Sequence, residues 1–231
     1  MIKIYKGDQI FPSQLTNIQN PVDKLYYQGD KNLLSKKFVA IVGARNVLPW
    51  VEQWMEYELI PALRSCDLGV ISGGARGVDQ RAHSCALRAG VPTLAVLPSG
   101  LNCKYPRTVE ALLGSSPLSG FLSEYEPNES MRKHYFYSRN RIIAGFSPLV
   151  LVVQASEKSG SMITAKYALE YGKSIATIPA TPMDPSTSGN LRLLYDGSYF
   201  VRNSGDLKSL FYNYFNSNSC EERIGPQVGE L

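Results

Sequence analysis

The sequence predicts an α/β fold with a mostly parallel sheet flanked by helices. Two observations carry this. Short β-branched runs recur along the chain, and segments of helical spacing separate them. The runs are continuously apolar rather than alternating, as expected of strands covered on both faces.

The elements follow in order. Residues 1–35 lack periodicity and carry Pro12, Pro21 and Gly29, so they predict an irregular strap packed on the core. Phe38-Val39-Ala40-Ile41-Val42-Gly43 predicts the first core strand. Residues 50–65 predict a helix, with Val51, Trp54, Met55, Leu59 and Leu63 at mixed helical spacing. Leu68–Ser72 predicts a strand, residues 78–89 a helix, and Thr93–Leu97 another strand. Leu149–Val153 and Ser174–Ile178 predict two more strands, with a helix over 161–171 between them. One domain over 36–215 results, and the polar segment 216–231 is expected to be a flexible tail.

Composition excludes several classes. Hydrophobic residues make up 44% and charged residues 19%, which excludes a disordered or fibrous chain. The four cysteines, Cys66, Cys85, Cys103 and Cys220, form no CxxC pair, and there are two histidines, so neither a zinc site nor a disulfide framework is expected. No apolar run is long enough to span a bilayer, and the N-terminus has no signal-peptide pattern. Reduced thiols and a cytoplasmic location are expected, with no membrane partner. The formal charge of +4 is too small to name a nucleic-acid partner.

In a parallel α/β sheet, ligands bind beyond the carboxyl ends of the strands. Four loops fall there. They contain Gly43-Ala44-Arg45-Asn46, Ser72-Gly73-Gly74-Ala75-Arg76-Gly77, Pro98-Ser99-Gly100 and Glu157-Lys158-Ser159-Gly160-Ser161. Small residues let amides approach an anion, and a following helix adds positive potential. With Arg45, Arg76 and Lys158 at one rim, the pattern predicts a phosphate site. It matches neither G-x-G-x-x-G nor a P-loop, so hydride transfer and mononucleotide hydrolysis are not supported.

The segment Met131-Arg132-Lys133-His134-Tyr135-Phe136-Tyr137-Ser138-Arg139-Asn140-Arg141 interleaves cations with aromatics and contains no acid. Cations track a phosphate backbone while an aromatic face stacks on an unpaired base, which favours single strands over duplex. There is no G-x-S-x-G nucleophile elbow. His83 is expected to pack or make a local hydrogen bond, Asp79 to compensate a helix dipole, and Glu124 to hold a loop or helix end. Neither an enzyme nor a cofactor is expected. The alternative is a Rossmann-like nucleotide-binding module or hydrolase using the same loops, for which Glu124 would be the catalytic suspect.

Five ordered motifs resemble the DNA-processing protein A (DprA/Smf) family: Ile41–Arg45, Ser72–Asp79 with His83, Leu101–Pro106, Phe136–Ala144, and Lys158–Ser161 with Thr164-Ala165. The resemblance runs from about residue 10 to about residue 212. It implies an extended Rossmann-like domain that binds single-stranded DNA, forms a homodimer, protects incoming DNA in natural transformation and loads RecA recombinase. It implies no catalytic activity. By motif, the DNA-binding residues would be Arg45, Ser72, Gly73, Gly74, Arg76, Lys133, Phe136, Arg139, Arg141, Lys158, Ser159 and Gly160, with Lys173 at the rim. Phe136 would stack on a base. Pro179-Ala180 departs from the family's frequent Pro-Gly. The N-terminal helical and C-terminal winged-helix domains of many relatives are expected to be absent.

Overall fold

The computed structural model describes residues 1–216, so the expected flexible tail lies almost wholly outside the described residues. Nine strands form one sheet, ordered β1-β2-β6-β5-β4-β3-β7-β8-β9. The strands are β1 (Ile2–Tyr5), β2 (Lys24–Gly29), β3 (Phe38–Val42), β4 (Gly69–Ser72), β5 (Thr93–Val96), β6 (Ser119–Ser123), β7 (Leu149–Val152), β8 (Ser174–Thr177) and β9 (Tyr199–Phe200). From β6 to β9 every pairing is parallel, while β1–β2 and β2–β6 are antiparallel.

The five strands expected from β-branched runs all form. The N-terminal residues depart from expectation: instead of an irregular strap, they supply β1 and β2, which extend one edge of the sheet. Their apolar residues explain this. Ile4 and Leu25 are fully buried, and Tyr26 and Tyr27 nearly so, against the same sheet. Leu15 and Ile18, between the two strands, pack over the core below Gly145.

The helices are α1 (Pro49–Trp54), α2 (Ile60–Cys66), α3 (Val78–Ala89), α4 (Arg107–Leu113), α5 (Tyr135–Phe146), α6 (Gly160–Glu170), α7 (Ser188–Tyr195) and α8 (Ser204–Phe215). A π-helical turn, Met55–Leu59, joins α1 to α2. Alternate side chains of β3 point to opposite faces. Ala40 and Val42 pack under α5 and α6, whereas Val39 and Ile41 pack under α1, α2, α3 and α8. None of the described helices is long and apolar enough to cross a membrane.

The strand order reverses between β3 and β7. Loops leaving these neighbours diverge to opposite sides and open a crevice at the carboxyl end of the sheet.

Candidate nucleic-acid interface

The crevice holds two adjoining cavities. The first, about 260 Å³, lies at the strand-order reversal between the loop after β3 and the start of α6, lined by Gly43, Arg45, Phe136, Asn140, Ser159 and Gly160 among others. The second, about 360 Å³, lies over the ends of β4 and β5 and includes Arg45, Gly73, Arg76, Tyr105, Phe136 and Arg139. Arg45, Ala75, Phe136 and Arg139 line both.

Phe136 is positioned from the first turn of α5. Its neighbour Tyr135 is buried and stacks on Tyr125, centroid to centroid at 3.7 Å. The Tyr135 hydroxyl also donates to Glu129. This clamp fixes the start of the helix, and Phe136, one residue on, faces the crevice half-buried, with the Tyr105 ring edge-on at 5.9 Å and 89°. The arrangement leaves a rigid aromatic surface between two cavities.

Arg139 lines both cavities, from below. It is 5% exposed and sits beneath the crevice rather than on its rim. Its Nη1 donates to the carbonyls of Gly73 and Val96, tying the ends of β4 and β5 to α5. Gly73 is glycine because of this contact: an added Cβ would lie 1.9 Å from Arg139 Nη1. Burial pulls the guanidinium's pKa down, and the nearby Asp79 charge works against that.

Asp79 does more than compensate a dipole. It is 6% exposed and accepts from the Ala75 amide at 3.3 Å. Burial pushes its carboxyl pKa up, opposed by Arg139 and by the amides of Ala75 and Gly43. Part of the expected anion-binding backbone is therefore already committed within the protein. The Ala75 amide serves Asp79, and the Ala44 amide donates to Gln154 O at 2.7 Å. The start of α6 differs: a Cβ built at Gly160 meets nothing within 4 Å, and Asn140 Nδ2 donates to the Gly160 carbonyl at 3.2 Å.

The remaining expected residues divide clearly. Arg45 and Arg76 are exposed and line the crevice. Ser159 and Gly160 line its first cavity. Lys133 and Lys158 are exposed, adjacent in sequence to α5 and α6, but outside the lining of both cavities. Ser72 is fully buried, with its hydroxyl donating to Ile41 O, so it supports the loop from below. Gly74 turns with φ +67° against Val109. Arg141 pairs with Glu124, with only 11% of its side chain exposed. In this structure Glu124 and the Arg141 guanidinium are thus engaged with each other, and Arg141 lies outside the lining of both cavities. Lys173 precedes β8 and so lies at the opposite end of the parallel sheet from the crevice. Ala180 is half-buried beyond the end of β8.

His83 packs as expected. It is fully buried, with Nδ1 2.6 Å from the Thr93 hydroxyl, and burial lowers its pKa to about 3. Tyr105 and Asn140 line the crevice in addition to the residues expected from sequence. Helical spacing points to Asn140, since Phe136, Asn140 and Ile143 share one face of α5.

Comparison with known proteins identifies the family and the fold. The family described as DNA recombination-mediator protein A matches residues 3–211. The chain belongs to that family. The DNA processing protein DprA of Streptococcus pneumoniae is 35% identical over 207 residues, covering 88% of this chain and 72% of the relative. The Bacillus subtilis protein of the same name is 34% identical, covering 85% and 67%. The Synechocystis Smf protein is 35% identical, but the match spans only 51% of its length. Among solved structures, the pneumococcal family member superposes with a TM-score of 0.82 at 33% identity, covering 90% of this chain and 73% of that one. The Helicobacter pylori member, described for its single-stranded DNA binding mode, gives 0.79 at 29% identity, covering 92% and 96%. A molybdenum cofactor binding protein from Rippkaea orientalis shares the fold alone, at 16% identity and a TM-score of 0.52.

Proposed function

We propose that this family member binds single-stranded DNA in the crevice. The observation that carries the reading is Phe136: a clamped aromatic between two cavities that share the exposed Arg45, with Arg76 on the second. A base stacks on Phe136, and the phosphates on either side meet the arginines. Duplex DNA hides its base faces and leaves Phe136 unused. Arg139 and Asp79 shape the floor without gripping the backbone.

The test is anisotropy with labelled oligo-dT, the matching duplex and RNA, for the wild-type chain, Arg45→Ala and Phe136→Ala. Single strands should bind more tightly than duplex, and both substitutions should weaken them. Equal affinity for duplex and single strand would refute the reading.

The family resemblance extends the proposal. The bound strand is incoming DNA in natural transformation, protected and passed to RecA recombinase by a homodimer acting without catalysis. Sedimentation at several concentrations tests the dimer. RecA filament formation on strands coated by a single-strand binding protein, with and without this chain, tests loading.

A further inference from the structure

The crevice does not stop at Arg76. A third cavity, about 590 Å³, continues from it along the outside of α3, and it shares Arg45, Asn46 and Arg76 with the second cavity. Beside the apolar Val47 and Leu112, its walls carry polar side chains: Gln80, Arg81 and Ser84 from α3, Thr108 from α4, and Glu52 from α1. Gln80 is held in place, its Nε2 donating to Thr108 Oγ1 at 2.7 Å and to Gly74 O at 3.0 Å. Arg81 pairs with Glu52, and each side chain is 43% exposed.

Seven residues further along α3, Arg88 pairs with Glu56 in the same way. Arg81 and Arg88 thus occupy one stripe of the helix with equivalent acidic partners. Only the Arg81–Glu52 pair lines the cavity that joins the crevice. The two pairs therefore offer an internal comparison: the same chemistry, with and without a path to the candidate base-stacking site.

We propose that this groove is an outer phosphate subsite for the same single strand, with Arg81 as its cation and Glu52 as a competing internal anion. The inference rests on the single-strand reading of the crevice. A strand stacked on Phe136 and contacted by Arg45 and Arg76 continues across the N-terminal half of α3. There a phosphate replaces the Glu52 carboxylate as the partner of Arg81. An exposed ion pair holds its members weakly, so this exchange is easy for a polyanion delivered from the adjoining site. The Ser84 and Thr108 hydroxyls supply further donors along the sugar–phosphate path, with Gln80 holding Thr108 in place. The subsite carries no base-stacking ring, so it adds length dependence and salt dependence but no sequence preference.

The test uses oligo-dT from about 4 to about 16 nucleotides, a span covering common single-strand site sizes. Arg81→Ala, Glu52→Gln and Arg88→Ala are compared with the wild-type chain, each with its urea midpoint measured to confirm folding. Arg81→Ala should leave the shortest oligonucleotides unchanged and weaken the long ones about three- to tenfold, the scale of one partly exposed charge-assisted contact. Its salt slope on long strands should fall by about 0.7, the value of one phosphate contact on a single strand. Glu52→Gln should tighten long strands only, and Arg88→Ala should match the wild-type chain. If Arg81→Ala behaves as Arg88→Ala at every length, or weakens all lengths equally, the outer subsite is refuted while the crevice reading stands. If the wild-type chain binds no oligonucleotide at all, both readings fall together.

Discussion

Gly73→Ala tests whether Arg139 is a locked part of the crevice floor. The added Cβ would lie 1.9 Å from Arg139 Nη1 and 2.5 Å from Cζ. Arg139 is 5% exposed, and its Nη1 donates to Gly73 O and Val96 O. Relief of the clash therefore requires breaking charge-assisted hydrogen bonds. Overpacking costs about 1–3 kcal/mol, and each hydrogen bond to a charged group contributes about 1.5–3 kcal/mol. The two costs are alternatives in part, since moving the arginine relieves the clash, so a loss of about 3–5 kcal/mol is expected. Urea unfolding measures it, as a lower midpoint at unchanged slope. Gly160→Ala is the matched comparison, because its Cβ meets nothing within 4 Å, and its stability should move by less than about 1 kcal/mol. If Gly73→Ala costs no more than Gly160→Ala, Arg139 is not locked, and the account of the crevice floor is wrong.

Phe136→Ala should weaken oligo-dT binding by about 1–3 kcal/mol with little change in stability, measured by anisotropy and urea midpoint; unchanged affinity removes Phe136 from the site. Gly160→Ala, although harmless to folding, should reduce single-strand affinity if the backbone at the start of α6 approaches the strand, and titration of the same oligonucleotide decides. Arg141→Ala should lower stability through loss of the Glu124 pair and leave DNA affinity unaltered once folding is confirmed by circular dichroism. His83 has its folded pKa lowered to about 3 from 6.5, so below pH 6.5 the unfolded chain binds the extra proton. Stability should then fall with pH by up to about 1.4 kcal/mol per unit in that window. The raised carboxyl of Asp79 acts in the opposite direction, so the readout is the difference between wild type and His83→Gln, whose urea midpoints at pH 7 and pH 5.5 should diverge less for the variant.

The parallel core was legible because strands buried on both faces must be apolar throughout, and five such runs stand out. The strand-like stretch before Glu124 is a weaker signal, because Ser119-Gly120-Phe121-Leu122-Ser123 has no β-branched residue; the burial of β6 comes from neighbours on both sides. β1 and β2 are masked by the prolines and turn residues that separate the edge strand β1 from its antiparallel partner β2. Within the site, exposure was the missing variable. Arg132, Arg139 and Arg141 look alike in sequence, yet their surroundings differ widely. Helical phase carried the signal: Arg139 precedes Ile142, Ile143 and Phe146 by three, four and seven residues, which places it on the buried face of α5. The glycine-rich loops have the sequence of open anion cradles. A carboxylate from α3 reaches back into the second loop, which spacing alone does not reveal.

Phe136 and Arg139 are three residues apart on one helix, the first facing the crevice and the second fastened to two strand ends. If a single strand binds as proposed, a ring mounted this way enters the encounter with little freedom left to lose. The entropy of ordering falls on the flexible polynucleotide, and the protein side of the contact is ready before the strand arrives. Capture and retention then depend on different groups. Exposed arginines set how fast a strand is captured and how strongly salt slows that step. The fixed ring sets how long the strand stays, so substitutions at Phe136 should change residence time far more than arrival.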